Sequence, residues 1–344
     1  MFAFSETVTP RFFEPVSGGE STRGSVICDL CPHRCKLSGN MTGICKTRSG
    51  ADGGSLPFYG HISSAAIDPI EKKPLFHYRP GESIFSIGFV GCNLRCPFCQ
   101  NWRISQSTDA ETQTFMPEEI IDKTIALGMK QIAYTYSEPL IHAEYIINCM
   151  TLARSRKIAN VLVTNGCVNE RAAGEIIPLV DAVNIDLKCF SDANYKKVLG
   201  GSLPAVKYFI KTASENTHTE LTTLIIPDFN DNIQEIDGCI DFIASISVNI
   251  PWHISAYYPA YKWNFPPASP EAIISIKERA AQKLLYCYTG NINDNGNNTF
   301  CLNCGAVLIE RNGYKVKILG LIKKHTDNNT YYCGKCGAKT HIRY

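Results

Sequence analysis

The chain has 344 residues and a formal net charge of +2, from 34 basic and 32 acidic side chains. A hydrophobic share of 44% and a charged share of 19% exclude a disordered protein, and the even charge balance excludes bulk attraction to nucleic acid or to a membrane surface. The opening MFAFSETVTPRFFEP has no basic segment followed by an apolar run, and no stretch approaches the roughly eighteen apolar residues of a membrane helix, so a cytoplasmic protein is expected.

Residues 1 to about 80 read as loop-rich, punctuated by Gly and Pro with little helical period. From residue 84 a second rhythm takes over. SIFSIGFV reads as strand, PEEIIDKTIALG as a helix begun by Pro117, QIAYTYS as strand and EPLIHAEYIINCMTLARSRK as helix. NVLVTNG is a strand, NERAAGEIIPLV a helix ending near Pro178, and AVNIDLK and ELTTLIIP are strands. NIQEIDGCIDFIASI and PEAIISIKERAAQKL read as helices around the strand WHISAYY, and LYCYTGN as a last short strand. Six or seven strands alternating with helices predict an α/β fold with a parallel sheet closing partly into a barrel. Three segments follow: a Cys-rich extension over 1–80, the barrel over 81–297, and a small module over 298–344. Polar residues recur at the expected strand ends, among them Glu138, Thr164, Asn165, Asp186, Lys188 and Tyr258, where a β/α barrel builds its active site.

Cysteine carries the strongest signal. Eleven of the sixteen fall into three tight groups, and in a reducing compartment such spacing points to metal ligation or catalysis rather than disulfides. Cys28, Cys31, Cys35 and Cys45 supply four thiolates, enough for a closed zinc site or an auxiliary iron–sulfur cluster, and spacing does not choose between them. Cys301, Cys304, Cys333 and Cys336 form two C-x2-C-G knuckles, a zinc-ribbon pattern. Residues 299–344 carry eight Lys and Arg against Glu310 and Asp327, a formal +6 that a four-thiolate zinc centre lowers by about 2, so an RNA-binding adaptor is one reading of the chain.

The central group, GCNLRCPFCQNW, places Cys92, Cys96 and Cys99 just after the first barrel strand, with no fourth cysteine nearby. Three thiolates hold three irons of a 4Fe–4S cluster and leave one iron free beside a pocket. The C-x3-C-x2-C spacing resembles the radical S-adenosylmethionine (SAM) superfamily, whose members cleave SAM reductively to a 5′-deoxyadenosyl radical. Over almost its whole length the chain resembles a narrower family, the radical SAM proteins of the AmmeMemoRadiSam system. The stretches that carry this likeness include CDLCPHRC, DPIEKKPLFHYRPG, GCNLRCPFCQNW, YTYSEPLI, TNG, DLK, LIIPDFND and PWHISAYYPAYK. That family is similar to the activating enzymes of glycyl-radical proteins.

The resemblance implies a partial (β/α)6-type TIM barrel and a SAM pocket. Tyr136, Ser137 and Glu138 stand where the superfamily's Gly-Gly-Glu holds the SAM amino group, the acid being kept and both glycines replaced. Asp186 and Lys188 would face the ribose and carboxylate of SAM, with Thr164 and Asn165 lining the same pocket. The chain departs from related activases at Val163, and from the narrower family at Ala256 and Tyr258. The charged, proline-bounded loop with Glu71, Lys72, Lys73 and His77 is expected to meet substrate or a partner. Memo-like and AMMECR-type proteins are the implied partners, a glycyl-radical enzyme the alternative, and a flavodoxin or ferredoxin the implied reductant. No catalytic residue is assigned.

Overall fold

The computed structural model describes residues 9–16, 24–293, 296–324 and 327–344. One sheet dominates it. Strands β1 (Ser64–Pro69), β2 (Ser83–Gly88), β3 (Gln131–Thr135), β4 (Ala159–Thr164), β5 (Ala182–Asp186), β6 (His218–Ile225), β7 (Trp252–Ala256) and β8 (Cys287–Gly290) lie side by side in chain order. Strands β2 to β8 are parallel, and β1 runs antiparallel to β2 at one edge.

The crossovers are α1 (Pro117–Ala126), α2 (Ala143–Ser155), α3 (Glu170–Ile176), α4 (Leu203–Asn216), α5 (Ile233–Ile246) and α6 (Pro270–Ala280). Local chemistry starts them. Pro117 opens α1 while the Glu119 carboxylate accepts from Met116 N–H at 2.7 Å, and Asn232 and Ser269 side chains cap α5 and α6. Two elements were not foreseen. Helix α4 fills the expected gap between β5 and β6, burying Leu203, Val206, Phe209, Ile210 and Ala213. Strand β1 lies within the expected N-terminal extension, yet it pairs with β2 from Ser64↔Gly88 to Pro69↔Ser83 and so belongs to the central sheet.

Parallel pairing sends alternate side chains to one inner face. There Ile84, Ala133, Val161 and Ala182 meet Ile70, Leu75 and Tyr78 from the loop between β1 and β2. That loop is pinned beneath the sheet by buried Glu220 of β6, whose carboxylate accepts the backbone N–H groups of Phe76 (2.9 Å) and His77 (2.7 Å). The C-terminal module docks on the same loop. Arg343 N–H donates to His77 O, Arg79 N–H donates to Arg343 O, and the Arg311 guanidinium covers the Phe76 ring at 4.4 Å. The module itself is two three-stranded antiparallel sheets, each carrying one cysteine knuckle. Among the described residues, no helix is long and apolar enough to cross a membrane.

Candidate active site

The C-terminal ends of β2 to β5 converge on one place. The loop after β2 carries Cys92, Cys96 and Cys99, and it is fastened to the end of β4 by two asparagines. Asn165 Nδ2 donates to Asn93 Oδ1 at 3.0 Å and approaches Cys92 Sγ at 3.6 Å, while Asn93 Nδ2 donates to Cys167 O at 2.6 Å. Asn93 was not singled out from sequence; its signal is a buried amide between two ligand cysteines.

Glu138 ties β3 to β4. Its Oε1 accepts from Thr164 Oγ1 (2.6 Å) and Leu140 N–H (3.0 Å), and its Oε2 from Asn165 N–H (2.8 Å). Burial pushes its carboxyl up to about 7 even though these bonds favour the charged form. Beyond β5, Lys188 Nζ donates to Asp186 Oδ2 at 3.0 Å. Burial opposes the Lys188 charge, but the Asp186 carboxylate outweighs it and holds the ammonium firmly protonated.

Tyr136 and Ser137 occupy a backbone conformation that favours glycine. Their φ angles are 44° and 56°, a left-handed conformation that costs a side-chain-bearing residue roughly 1–2 kcal/mol. Compensation for Tyr136 comes from β1 and its loop: the Tyr136 hydroxyl donates to Asp68 Oδ2 at 2.9 Å, Lys73 Nζ lies 3.1 Å from that hydroxyl, and the same ammonium sits 4.5 Å from the ring centroid. Asp68 also binds Lys72 (2.8 Å) and Lys73 (2.7 Å).

The charged loop therefore splits. Lys72 and Lys73 gather with Tyr136 around Asp68. Glu71 and His77 do not: the Glu71 carboxylate is buried and accepts Gly81 N–H at 2.8 Å, and His77 is buried with Nε2 2.6 Å from the Tyr288 hydroxyl. Burial holds the His77 imidazole down at about 3, and both residues close the base of the sheet. A cleft of about 950 Å³ opens at that base, lined by Tyr78, Arg79, His218 and Arg343 among others, and carries no cysteine.

The thiols on the loop after β2 fit an iron–sulfur cluster. Cys92, Cys96 and Cys99 do not bring all their sulfurs within 4.8 Å of one another, so they are too widely set for one ion, as corners of a cube require. Burial raises the Cys92 thiol and lifts Cys96 to about 12, so a bound cation would be needed to make either a thiolate at neutral pH. Ser137 Oγ is buried with no hydrogen-bond partner among the described residues, an orphan that a ligand's polar group would satisfy. The C-terminal group differs. Cys301, Cys304, Cys333 and Cys336 bring all four sulfurs within 4.8 Å, a set that can bind a metal ion.

Three thiols on one loop at the C-terminal ends of parallel strands are a donor set suited to an iron–sulfur cluster. Residues 86–243 match the radical SAM superfamily. The chain is 38% identical to an uncharacterized protein of Methanocaldococcus jannaschii over 92% of its own length and 95% of that protein's. It is 24% identical to the pyruvate formate-lyase 1-activating enzyme of Escherichia coli strain K12, over 42% of this chain and 61% of that one. A domain of pyruvate-formate lyase-activating enzyme from Bacteroides vulgatus is similar at TM-score 0.41 and 18% identity, covering 46% of this chain and 98% of the domain. The chain belongs to the radical SAM superfamily and is an enzyme of that type.

Proposed function

We propose that this enzyme cleaves SAM reductively and abstracts a hydrogen atom from a substrate held over the inner face of a partial β/α barrel. The single observation behind this reading is the three-cysteine loop fastened through Asn93 and Asn165 to the strand-end pocket that Glu138 braces. A bound 4Fe–4S cluster with SAM supplies a 5′-deoxyadenosyl radical there. The chain's own residues hold and orient: Glu138 fixes Thr164 and Asn165, Ser137 Oγ offers a free hydroxyl, and Lys188 supplies a cation for a carboxylate. Lys72 and Lys73 share the one Asp68 carboxylate, leaving an excess positive charge beside Tyr136 that suits an anionic substrate.

The narrower family likeness supports Memo-like and AMMECR-type proteins as partners and a flavodoxin or ferredoxin as electron donor in the cytoplasm. Similarity to pyruvate formate-lyase-activating enzymes supports a second reading, the activation of a glycyl-radical enzyme. The C-terminal sulfurs support zinc: Cys301–Cys336 and Cys304–Cys333 lie 3.6 and 3.7 Å apart. Four thiolates at ~2.3 Å from one tetrahedral ion stand ~3.8 Å from each other.

The test is anaerobic loading with iron and sulfide, then SAM and reductant. 5′-Deoxyadenosine and methionine are expected from the native chain and not from Cys96→Ala; a cluster-loaded chain that binds SAM and yields neither product would overturn the reading. Incubation with each candidate partner then separates the two substrate readings, because only the true one accelerates SAM consumption.

A further inference from the structure

The N-terminal segment gathers four thiols of its own. Cys28, Cys31 and Cys45 are buried and Cys35 is partly so. They form a built site rather than a chance cluster. Arg48 Nε donates to Cys28 Sγ at 3.2 Å and Thr47 Oγ1 to Cys45 Sγ at 3.4 Å. Gly43 backs two of the sulfurs, since a Cβ there would stand 3.6 Å from Cys35 Sγ and 3.7 Å from Cys45 Sγ. Arg48 is held for this task by both oxygens of buried Glu144, at 2.7 and 2.8 Å.

The size of the site separates zinc from a cluster. At the C-terminal knuckles all four sulfurs crowd within 4.8 Å, as one tetrahedral ion demands; at the N-terminal group no three of the four do. A wider thiol cage encloses a cube of irons, each corner taking one sulfur. We infer that Cys28, Cys31, Cys35 and Cys45 hold a second iron–sulfur cluster, packed against the loop that carries the first.

That packing is direct. Gly91, the residue before Cys92, lies so near the Cys45 carbonyl that a Cβ would stand 2.5 Å from its oxygen. On the other side of Cys92, the Asn93 carbonyl is 2.8 Å from His33 Nε2, in the turn between Cys31 and Cys35. The turns that carry the two cysteine groups therefore touch on both sides of Cys92. A one-electron protein donor would reduce the N-terminal cluster, and that electron would pass to the central cluster as the N-terminal one was re-oxidised. The electron's destination rests on the proposed function; the cluster itself does not.

The experiment uses the full chain with Cys92, Cys96 and Cys99 all changed to Ala, loaded anaerobically with iron and sulfide. It is expected to retain about four irons and four sulfides, beside about one zinc at the C-terminal knuckles, and to show a reduced-cluster paramagnetic signal that SAM leaves unchanged. About two zincs without sulfide, or no iron at all, would overturn the inference. The Cys28→Ser/Cys45→Ser chain is the complement, expected to keep only the central cluster. In the dithionite-reduced native chain the two signals are expected to broaden each other, whereas a spectrum equal to the sum of the two variants would overturn the close packing of the two clusters. Iron in the triple variant reports on the N-terminal group alone, so its loss is distinguishable from failure of SAM chemistry at the central loop.

Discussion

The Tyr136 hydroxyl donates to the Asp68 carboxylate at 2.9 Å, joining the left-handed turn after β3 to the edge strand β1. This contact holds in place a residue whose left-handed backbone would suit glycine better. Asp68→Asn removes the charged acceptor and leaves the Lys73 ammonium buried without its counter-ion. A hydrogen bond to a charged group is worth about 1.5–3 kcal/mol, so the SAM concentration giving half-maximal 5′-deoxyadenosine formation is expected to rise about tenfold or more. Steady-state product measurement against SAM concentration checks this, and an unchanged value would remove Asp68 from the pocket's support.

Glu138 gives the pocket a pH dependence. Its carboxyl is pushed up to about 7 by burial, and only the carboxylate can accept all three of its hydrogen bonds. As pH falls through that value the brace between β3 and β4 weakens. SAM affinity is therefore expected to decline below pH 7, by up to about tenfold per pH unit for a single titrating group. Glu138→Gln is expected to bind weakly with no such slope. Equilibrium binding of SAM from pH 6 to 8 reads both.

Arg48 and Glu144 form a buried ion pair, with side chains 1% and 2% exposed. Breaking such a pair from one side costs about 3–5 kcal/mol, so Glu144→Gln is expected to lower the denaturant midpoint sharply. Burial works against the Glu144 charge, but the Arg48 hydrogen bonds outweigh it and hold the carboxyl below its ordinary value. Its folded pKa is depressed, so its contribution is present above the unfolded value of about 4.3 and is lost as pH falls through the lower folded value. Urea unfolding at pH 7 and in acid should show the native chain losing stability that the variant never had.

The C-terminal sulfurs predict about one zinc that disappears with Cys301→Ala. Because Arg343, Arg79 and His77 exchange backbone hydrogen bonds between module and loop, the same variant is expected to expose the loop at 70–82 to protease faster than the native chain. Cleavage rates unchanged by zinc loss would show that the module docks without its metal.

What could be read from sequence divides by range. The C-terminal cysteine group, the placement of Glu138 at a strand end and the Asp186–Lys188 pair were legible because each is set by a short loop or a strand end. Helix α4 was legible in principle: Ser202 caps it, and Leu203, Val206, Phe209, Ile210 and Ala213 repeat at helical spacing. Strand β1 was not, since Ser64, Ala65, Ala66 and Ile67 are all exposed and show no alternation of burial. His77 looked functional because its loop is charged, yet its site is held together by Glu220, 143 residues away. No local pattern announces a partner at that distance.

The account turns on one iron at the Cys92, Cys96 and Cys99 site having a position free for SAM. The most direct measurement is the paramagnetic resonance spectrum of the reduced Cys28→Ser/Cys45→Ser chain, which isolates the central cluster, with and without SAM. A shifted signal on adding SAM, lost in Cys92→Ala, is the predicted result. An identical signal at saturating SAM, with the cluster loaded and reduced, would contradict it.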